Sequence, residues 1–486
     1  MAKRIIAVVL SLILVVALVG CGGSKRQPIE VTLSTEDAEA ILAAAGIRLP
    51  DASETPAAGT NVKWYAWYDP FQNYSEDEIV NTGFFTFKEK YGSTLEYVEC
   101  TWDERFTKLA NLLVGGTPPD VYPGDLETFP FYAVGRKMFS PVDDYIDYDD
   151  ILWSDMKEFA DNYVSIGGRH YMMVTDVKLD YVCGYNRRVI NEWGFDDPAE
   201  LFYNGEWDSD EWLDMCISFS DADEERYAVD GWYYDVALMY MSGTPIVSYN
   251  PETGLFQQNI DNPGLERAAN VIEEMKRNDC IFPVWKNGWK LRGGEEIQGI
   301  GVKDGLTLFF VVGIWGMEAT VDDMATRWGD MLDEEVMFVP MPKDSQGDGN
   351  YYVTAKTDGF CIVKGAANPE GVALLGACSR FRIIDPTVMS VDRKQKVEKY
   401  LWTDEMLAMY DTVIEMAKGP NALVDYGEGL GGDLSTAVAK FNNLGRQSTS
   451  SSWAQVKEAN ADVLQYQVDL FNETVREYEA ELAAEK

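Results

Sequence analysis

The stretch TLEYVECTWDERFTKLANLLVGGTPPDVY, residues 94–122, decides the fold class, because a strand, a helix and a second strand follow one another within it. Apolar and polar side chains alternate from Thr94 to Cys100, which is the period of a half-buried strand. Thr101 and Glu104 form a capping box in front of a helix with one apolar face. Gly115-Gly116 ends this helix, and the two prolines that follow prevent its continuation into the next strand.

The same alternation of strand and helix continues on both sides of this stretch. Val62 to Tyr68 predicts a strand and Ile79 to Tyr91 predicts a helix. At the other end of the chain, a capping box formed by Ser452 and Gln455 begins a long amphipathic helix that runs to the C-terminus. This order of elements predicts an α/β protein with parallel strands and with helices on the faces of its sheets.

The N-terminus has the pattern of an export signal. An apolar run from Ile5 to Val19 follows two basic residues and is too short to cross a bilayer comfortably. It ends in Leu18-Val19-Gly20-Cys21, which resembles the lipobox that is cut before a lipid-carrying cysteine. We therefore expect residues 1–20 to be a signal peptide, and residues 21–60 to be a leader that diacyl lipid on Cys21, palmitate included, holds to the extracytoplasmic face of the cell membrane. An ordinary secretory signal with a chance cysteine is the alternative.

The composition restricts the partners and the redox chemistry. The chain carries 81 acidic and 41 basic residues, a net charge of −40. Such a surface keeps a protein soluble, repels nucleic acid and anionic solutes, and favours a neutral or cationic ligand. The cysteines after Cys21 are predicted to be small buried hydrophobic residues, because they lie in strand-like runs or in helical patterns. The clearest cases are Cys100, Cys183, Cys216, Cys361 and Cys378.

Motifs for catalysis are scarce. The single histidine, His170, is predicted to lie in a polar turn beside Arg169, which excludes histidine-based triads and multi-histidine metal sites. The glycine-rich run Gly427–Gly432 lacks the βαβ context of a dinucleotide-binding loop. We therefore expect no catalytic residues, no cofactor and no metal. A glycoside hydrolase that uses two of the many carboxylates is the alternative.

Eight segments, taken together and in order over roughly residues 61–480, resemble the extracellular solute-binding proteins of ABC importers, in the group that binds maltose and other sugars. Two of the segments depart from the family pattern: Trp207-Asp208-Ser209 replaces the usual Trp-Thr-Trp, and Gly313-Ile314-Trp315 replaces Gly-Pro-Trp. The resemblance therefore implies the fold and the role, but no particular substrate. The segments are residues 87–92, 112–121, 139–145, 185–188, 194–212, 313–315, 339–342 and 364–369.

The resemblance implies a two-lobed periplasmic-binding-protein-like fold of type II, in which two parallel or mixed sheets flanked by helices are joined by a hinge. Lobe one would comprise residues 61–177 and 352–400, and lobe two residues 178–351 and 401–486. A monomer of this kind would hold a small solute, a neutral sugar or oligosaccharide, between its lobes and deliver it to the permease subunits of an importer. A surface adhesin of the same architecture is a further alternative.

The candidate ligand-binding residues are aromatic and acidic side chains at predicted strand ends and turns. Rings of this kind can cover the C–H face of a sugar, while carboxylates accept its hydroxyl protons. Either Trp64 or Trp67 is expected to belong to the core, and Asp120, after two prolines, is expected to be structural. The positions of Trp315, Asp125, Asp180 and Tyr426 rest partly on the resemblance. The predicted site comprises Trp67, Tyr68, Asp69, Asp125, Asp180, Trp232, Tyr233, Trp315 and Tyr426.

Overall fold

The computed structural model describes residues 35–70, 83–284, 301–319, 321–448 and 451–485. The predicted signal peptide, Cys21 and the first part of the leader lie outside these residues, as does the start of the helix predicted from Ile79. None of the described helices combines the length and the apolar character needed to cross a membrane.

The described strands form two mixed sheets and two small hairpins. They are β1 (Asn61–Ala66), β2 (Thr94–Glu99), β3 (Val121–Gly124), β4 (Phe139–Ser140), β5 (Ser165–Ile166), β6 (Arg169–His170), β7 (Met173–Leu179), β8 (Tyr181–Asn186), β9 (Tyr227–Gly231), β10 (Val247–Asn250), β11 (Leu255–Gln258), β12 (Thr307–Gly313), β13 (Val336–Val339), β14 (Val353–Val363) and β15 (Ala422–Val424).

The described α-helices alternate with these strands through most of the chain, which confirms the predicted α/β class. They are α1 (Thr35–Ala44), α2 (Gly83–Tyr91), α3 (Arg105–Val114), α4 (Lys157–Tyr163), α5 (Arg187–Trp193), α6 (Pro198–Asn204), α7 (Ser209–Phe219), α8 (Tyr234–Tyr240), α9 (Pro263–Arg277), α10 (Val321–Arg327), α11 (Pro369–Ile384), α12 (Pro386–Glu398), α13 (Asp404–Ala417), α14 (Gly432–Asn442) and α15 (Trp453–Glu485).

Each sheet defines one lobe. The first sheet has the order β15-β14-β3-β1-β2, with β4 and β7 also paired to β14, and the second has the order β13-β8-β12-β9. Strands β1, β2 and β3 are mutually parallel neighbours, as are β9 and β12, whereas β14 runs antiparallel to β3 and β7. The chain therefore has the predicted two-lobed architecture with mixed sheets.

The two sheets are connected where β7 leads directly into β8 through Asp180, and where the chain returns from β13 to β14. We call the antiparallel pair of β7 and β14 the hinge ribbon. Helix α13 packs against this ribbon and also against β13 of the second sheet. Strand β15 pairs with β14 of the first sheet, although residues 401–486 were predicted to belong to lobe two. The residue boundaries of the lobes stay a prediction.

The sequence predicts a helix start well where the capping residues are close neighbours in the chain. The N–H of Ser452 donates to Oε1 of Gln455 (3.0 Å), and the N–H of Gln455 donates to Oγ of Ser452 (3.4 Å), so the predicted capping box is confirmed. Helix α3 begins at Arg105, later than its predicted box, because residues 102–104 form a turn. The six cysteines after Cys21 are buried and unpaired, as predicted.

The prediction for His170 was wrong. The residue lies in β6, its side chain is largely buried, and its ring bridges two carboxylates. Nδ1 is 2.7 Å from Oδ1 of Asp143, and Nε2 is 2.9 Å from Oδ1 of Asp161 in α4. Burial alone would lower the pKa of His170, but the hydrogen bonds and charges of the two aspartates outweigh it and raise the pKa. When it is protonated, the imidazole can donate to both aspartates and so fasten the β5–β6 hairpin to α4.

We expect His170→Gln to destabilise the fold most in mild acid. Because the folded-state pKa is raised above about 6.5, the histidine contributes fully below that pH and its contribution is lost as the pH rises through the folded-state value. Urea unfolding of the wild type and the variant at pH 5.5 and pH 9.5 should give a larger difference in unfolding free energy at pH 5.5. An equal difference at both values would contradict the ion-bridge assignment.

Candidate functional site

Seven of the nine predicted site residues follow the carboxyl ends of four strands, two in each sheet. Trp67 to Asp69 follow β1, Asp125 follows β3, Trp232 and Tyr233 follow β9, and Trp315 lies just beyond β12. In open α/β sheets, ligands bind in the crevice outside the carboxyl ends of the strands. The carboxyl ends of the four strands therefore supply the candidate walls of one cleft.

The wall from lobe two is a pair of parallel indole rings. The ring centroids of Trp232 and Trp315 are 5.1 Å apart with an angle of 13° between the planes, and Trp232 also packs edge-on against Phe310. Trp315 is 51% exposed, whereas Trp232 is half-buried. Trp232 covers one face of Trp315, so the outer face of Trp315 is the surface offered to a ligand.

Two glycines allow the indole pair to form. Gly231 has φ of 138°, and a Cβ atom there would lie 2.2 Å from the carbonyl oxygen of Val311, which accepts the N–H of Trp232 at 3.0 Å. A Cβ atom on Gly313 would lie 2.1 Å from Nε1 of Trp315. Both turns therefore need glycine: the Val311 backbone comes too close to Gly231 for a Cβ atom, and the Trp315 ring comes too close to Gly313.

Gly313→Ala should displace the Trp315 ring without straining the backbone, since Gly313 has φ of −57°. We expect about a tenfold loss of ligand affinity and a change in unfolding free energy of under about 1 kcal/mol. Gly432→Ala is the matched control, because a Cβ atom at that position meets nothing within 4 Å. Calorimetric titration together with thermal unfolding measures both quantities. Unchanged affinity in the Gly313 variant would show that the ring position is unimportant.

The wall from lobe one carries a second aromatic pair. The rings of Trp67 and Trp102 meet edge to face at 4.6 Å, and the guanidinium of Arg105 lies 3.7 Å from the Trp102 ring centroid. Arg105 also forms an ion pair with Glu127 at 3.0 Å. Trp102, at 38% exposed, was missed from the sequence because the turn before α3 was interpreted as part of a capping box. Glu127 was missed because its ion pair with Arg105 joins residues that are far apart in the chain.

The floor of the cleft is formed by the hinge ribbon. Tyr181 pairs with Gly313 in the strand register, stacks on Tyr233 with ring centroids 5.7 Å apart, and its hydroxyl is 2.7 Å from Oγ1 of Thr354 in β14. The charges of Asp180, Lys356 and Glu127 all act on Tyr233, and burial raises the pKa of Tyr233 to about 12. These contacts bring residues of both lobes and of the ribbon to one place.

The surroundings raise the pKa values of two carboxylates at this floor. Burial raises the pKa of Asp180 to about 6, although Lys356 opposes the shift. Burial also raises the pKa of Asp125, against the opposing effects of Lys356 and of the Glu127 N–H, which donates to Asp125 at 3.0 Å. Lys356 is a contributor to this site that the sequence did not reveal.

The structure removes Tyr426 from the predicted site and decides which of Trp64 and Trp67 belongs to the core. Tyr426 is a core residue: it is 1% exposed, its hydroxyl donates to the carbonyl of Tyr163 at 3.0 Å, and its ring packs near Phe256. Trp64, also 1% exposed, is the core tryptophan of β1, which leaves Trp67 half-buried at the strand end. Tyr68 and Asp69 are half-buried beside Trp67.

The geometry suits reversible binding of a polar solute. An exposed indole face can hold a C–H face and half-buried carboxylates can hold hydroxyl groups, and the described residues contain no cluster of three or more side chains that could bind a metal ion. Two lobes joined by a ribbon, with the candidate site at strand ends of both lobes, are the architecture of a two-lobed binding protein. Residues 85–375 match the family described as bacterial extracellular solute-binding protein, and the chain belongs to this family.

Solved structures of similar fold come from several bacteria. The GacH receptor of Streptomyces glaucescens, described unliganded and with acarbose, is 16% identical, with 84% of this chain and 98% of that chain covered and a TM-score of 0.57. An ABC substrate-binding protein from Listeria monocytogenes in complex with cycloalternan is 15% identical, with coverage of 85% and 98% and a TM-score of 0.57.

A third similar structure is the galacto-N-biose-/lacto-N-biose I-binding protein of the ABC transporter from Bifidobacterium longum, in complex with lacto-N-biose. It is 15% identical, with coverage of 86% and 97% and a TM-score of 0.57. At these identities the likeness concerns the fold alone. No curated protein matches the chain significantly.

Proposed function

We propose that this protein captures a neutral sugar or oligosaccharide in the cleft between its lobes and delivers it to the permease subunits of an ABC importer. The observation that carries the proposal is the exposed Trp315 ring, stacked on Trp232 and placed beside Tyr233 and Asp180. The proteins of similar fold with bound acarbose, cycloalternan or lacto-N-biose support the choice of a carbohydrate.

The chemistry of the cleft favours such a ligand. The outer face of Trp315 covers the C–H face of a sugar ring, and the Asp180 carboxylate accepts hydroxyl protons. The net charge of −40 disfavours anionic solutes. A sugar that touches both lobes stabilises the closed form only by its greater affinity for that form, and closure is the signal that an importer can detect.

A thermal-shift screen tests the ligand class. Maltotetraose, lacto-N-biose and xylotetraose are the neutral probes, with galacturonic acid oligomers as the anionic comparison. A ligand that binds only the folded state raises its stability by RT ln(1 + [L]/Kd), so at least one neutral probe should raise the melting temperature. If only the anionic oligomers stabilise the protein, the proposed ligand class is wrong.

We further propose that the protein binds sugars without cleaving them. Raised pKa values at Asp125 and Asp180 would also suit a glycoside hydrolase, which uses a pair of carboxyl groups. Prolonged incubation with the three neutral probes, followed by chromatography, should return them intact. Turnover that disappears in Asp180→Asn would establish the hydrolase instead.

The membrane attachment is part of the same proposal. Lipid on Cys21 would hold the binding lobes near the importer in the membrane. Mass spectrometry of the mature N-terminus should find a diacylated Cys21. A mature chain that begins elsewhere with a free amine would contradict the anchor and leave the binding proposal unaffected.

A further inference from the structure

The hinge ribbon carries a row of charged side chains on one face. Asp176 lies opposite Asp358, and Lys178 lies opposite Lys356, in the antiparallel register of β7 and β14. Asp180 continues the row, and its N–H donates to the carbonyl of Thr354 at 2.9 Å. Residues two apart in a strand, and residues directly opposite in a pair, point to the same face. We call these side chains the ribbon charge row.

Most members of the ribbon charge row are paired. Lys178 forms an ion pair with Asp358, and Asp176 forms one with Lys418 at 3.0 Å. Burial alone would raise the pKa of Asp358, but the charge and hydrogen bond of Lys178 hold it below its usual range. These pairs lie on the side of the row away from Asp180, so the charges at that end of the row are compensated within the fold.

Lys356 and Asp180 differ from the rest of the row. In the part of the chain that the structure describes, neither side chain makes a hydrogen bond or an ion pair within 4.0 Å, although each acts electrostatically on the other. Two lysines directly opposite each other repel one another. Asp358 forms its ion pair with Lys178, so the charge of Lys356 is not compensated at short range. Lys356, which lacks such short contacts, interacts electrostatically with Tyr233 and Asp125.

We propose that Lys356 and Asp180 bind adjacent hydroxyl groups of the solute, and that Lys356 restricts the cleft to uncharged polyhydroxy ligands. An ammonium group only donates and a carboxylate only accepts, so together they match two neighbouring hydroxyls that serve as acceptor and donor. Lys356 also offsets the carboxylates of Asp125 and Asp180, which would otherwise attract cations. This inference rests on the proposed function.

The test compares two lysines that face each other across the ribbon. Lys356→Met removes the proposed ligand contact, Lys356→Arg keeps its charge, and Lys178→Met is the matched control that breaks an ion pair within the row. Each variant is titrated calorimetrically with maltotetraose, lacto-N-biose and xylotetraose, and with the fully deacetylated glucosamine disaccharide as a cationic probe. Circular dichroism and thermal unfolding verify the fold.

Lys356→Met should weaken the best neutral probe at least tenfold, and Lys356→Arg should recover part of the loss. Lys178→Met should stay within about threefold of the wild type, while its melting temperature falls. Lys356→Met should also bind the glucosamine disaccharide more tightly than the wild type does, which a merely structural lysine would not cause. Each of these results supports the assignment.

Other outcomes overturn it, and they separate the two proposals. If the wild type binds a neutral probe and Lys356→Met binds it equally well, or if Lys178→Met loses as much affinity, the role of Lys356 is wrong and sugar binding stands. A wild type that binds none of the neutral probes overturns the proposed function and the role of Lys356 together. An unfolded Lys356→Met variant is replaced by Lys356→Gln, for which the same criteria hold.

Discussion

Trp315→Ala should leave the protein folded and weaken its binding of a neutral oligosaccharide by about thirtyfold or more. The loss of one well-buried aromatic anchor at a binding site costs on the order of 2 kcal/mol, which corresponds to that factor. Trp315 is 51% exposed, and among the rings of the described residues it stacks only on Trp232, so the fold loses little when it is removed. Calorimetric titration and urea unfolding measure the two effects separately.

Trp212→Ala is the comparison variant for Trp315. Trp212 is fully buried in α7, and its truncation should cost about 3 to 5 kcal/mol of unfolding free energy through the cavity that it leaves. Where that variant remains folded, its affinity should be close to that of the wild type. If Trp315→Ala binds sugar normally, or unfolds like the Trp212 variant, Trp315 is not the stacking platform.

Asp120→Ala should cause one of the largest losses of stability in lobe one, about 3 kcal/mol or more. The side chain is 2% exposed, and its carboxylate accepts three backbone N–H groups: from Lys63 at 2.8 Å, from Ala367 at 2.8 Å and from Asn368 at 3.0 Å. These bonds join β1 and β3 to the start of α11. Alanine would remove three hydrogen bonds to a carboxylate, and each hydrogen bond to a charged group contributes about 1.5 to 3 kcal/mol.

Chemical unfolding with urea measures this loss. Asp147→Ala is the control, because the Asp147 side chain is exposed and accepts the N–H of Asp149 within its own turn, so the loss of unfolding free energy should be under about 1 kcal/mol. Asp120 precedes β3, whereas the candidate site follows the other end of that strand, so ligand affinity at low temperature should change by less than about threefold. A stability loss similar to that of Asp147→Ala would refute the three-bond account.

The order of elements could be derived from the sequence because its signals are local. The alternation in residues 94–100, the glycines after α3 and the reciprocal cap of Ser452 and Gln455 act between residues a few positions apart. The buried cysteines and the structural role of Asp120 were also predicted correctly, since apolar runs and a turn after two prolines limit what such residues can do.

The candidate site was only partly predictable. Aromatic residues at strand ends indicated Trp67, Trp232 and Trp315, but the same pattern also fitted Tyr426, which the core takes up between Phe129 and Phe256. His170 was placed in a polar turn because its partners, Asp143 and Asp161, come from other elements. Contacts with residues far away in the chain decide whether an aromatic side chain lines the cleft or belongs to the core, and a local sequence pattern does not contain them.

The sequence by itself therefore determined the α/β class, the N-terminal cap of α15, the export signal as an expectation and the resemblance to solute-binding proteins. Only the tertiary structure decided which side chains share the cleft. Lys356 stands opposite Lys178 because of the register of β7 and β14, and Trp315 is held against Trp232 because Gly231 allows close approach to Val311. Such contacts join residues that are far apart in the chain, so they are set by strand register and sheet order, whereas helix and strand patterns are set by neighbours.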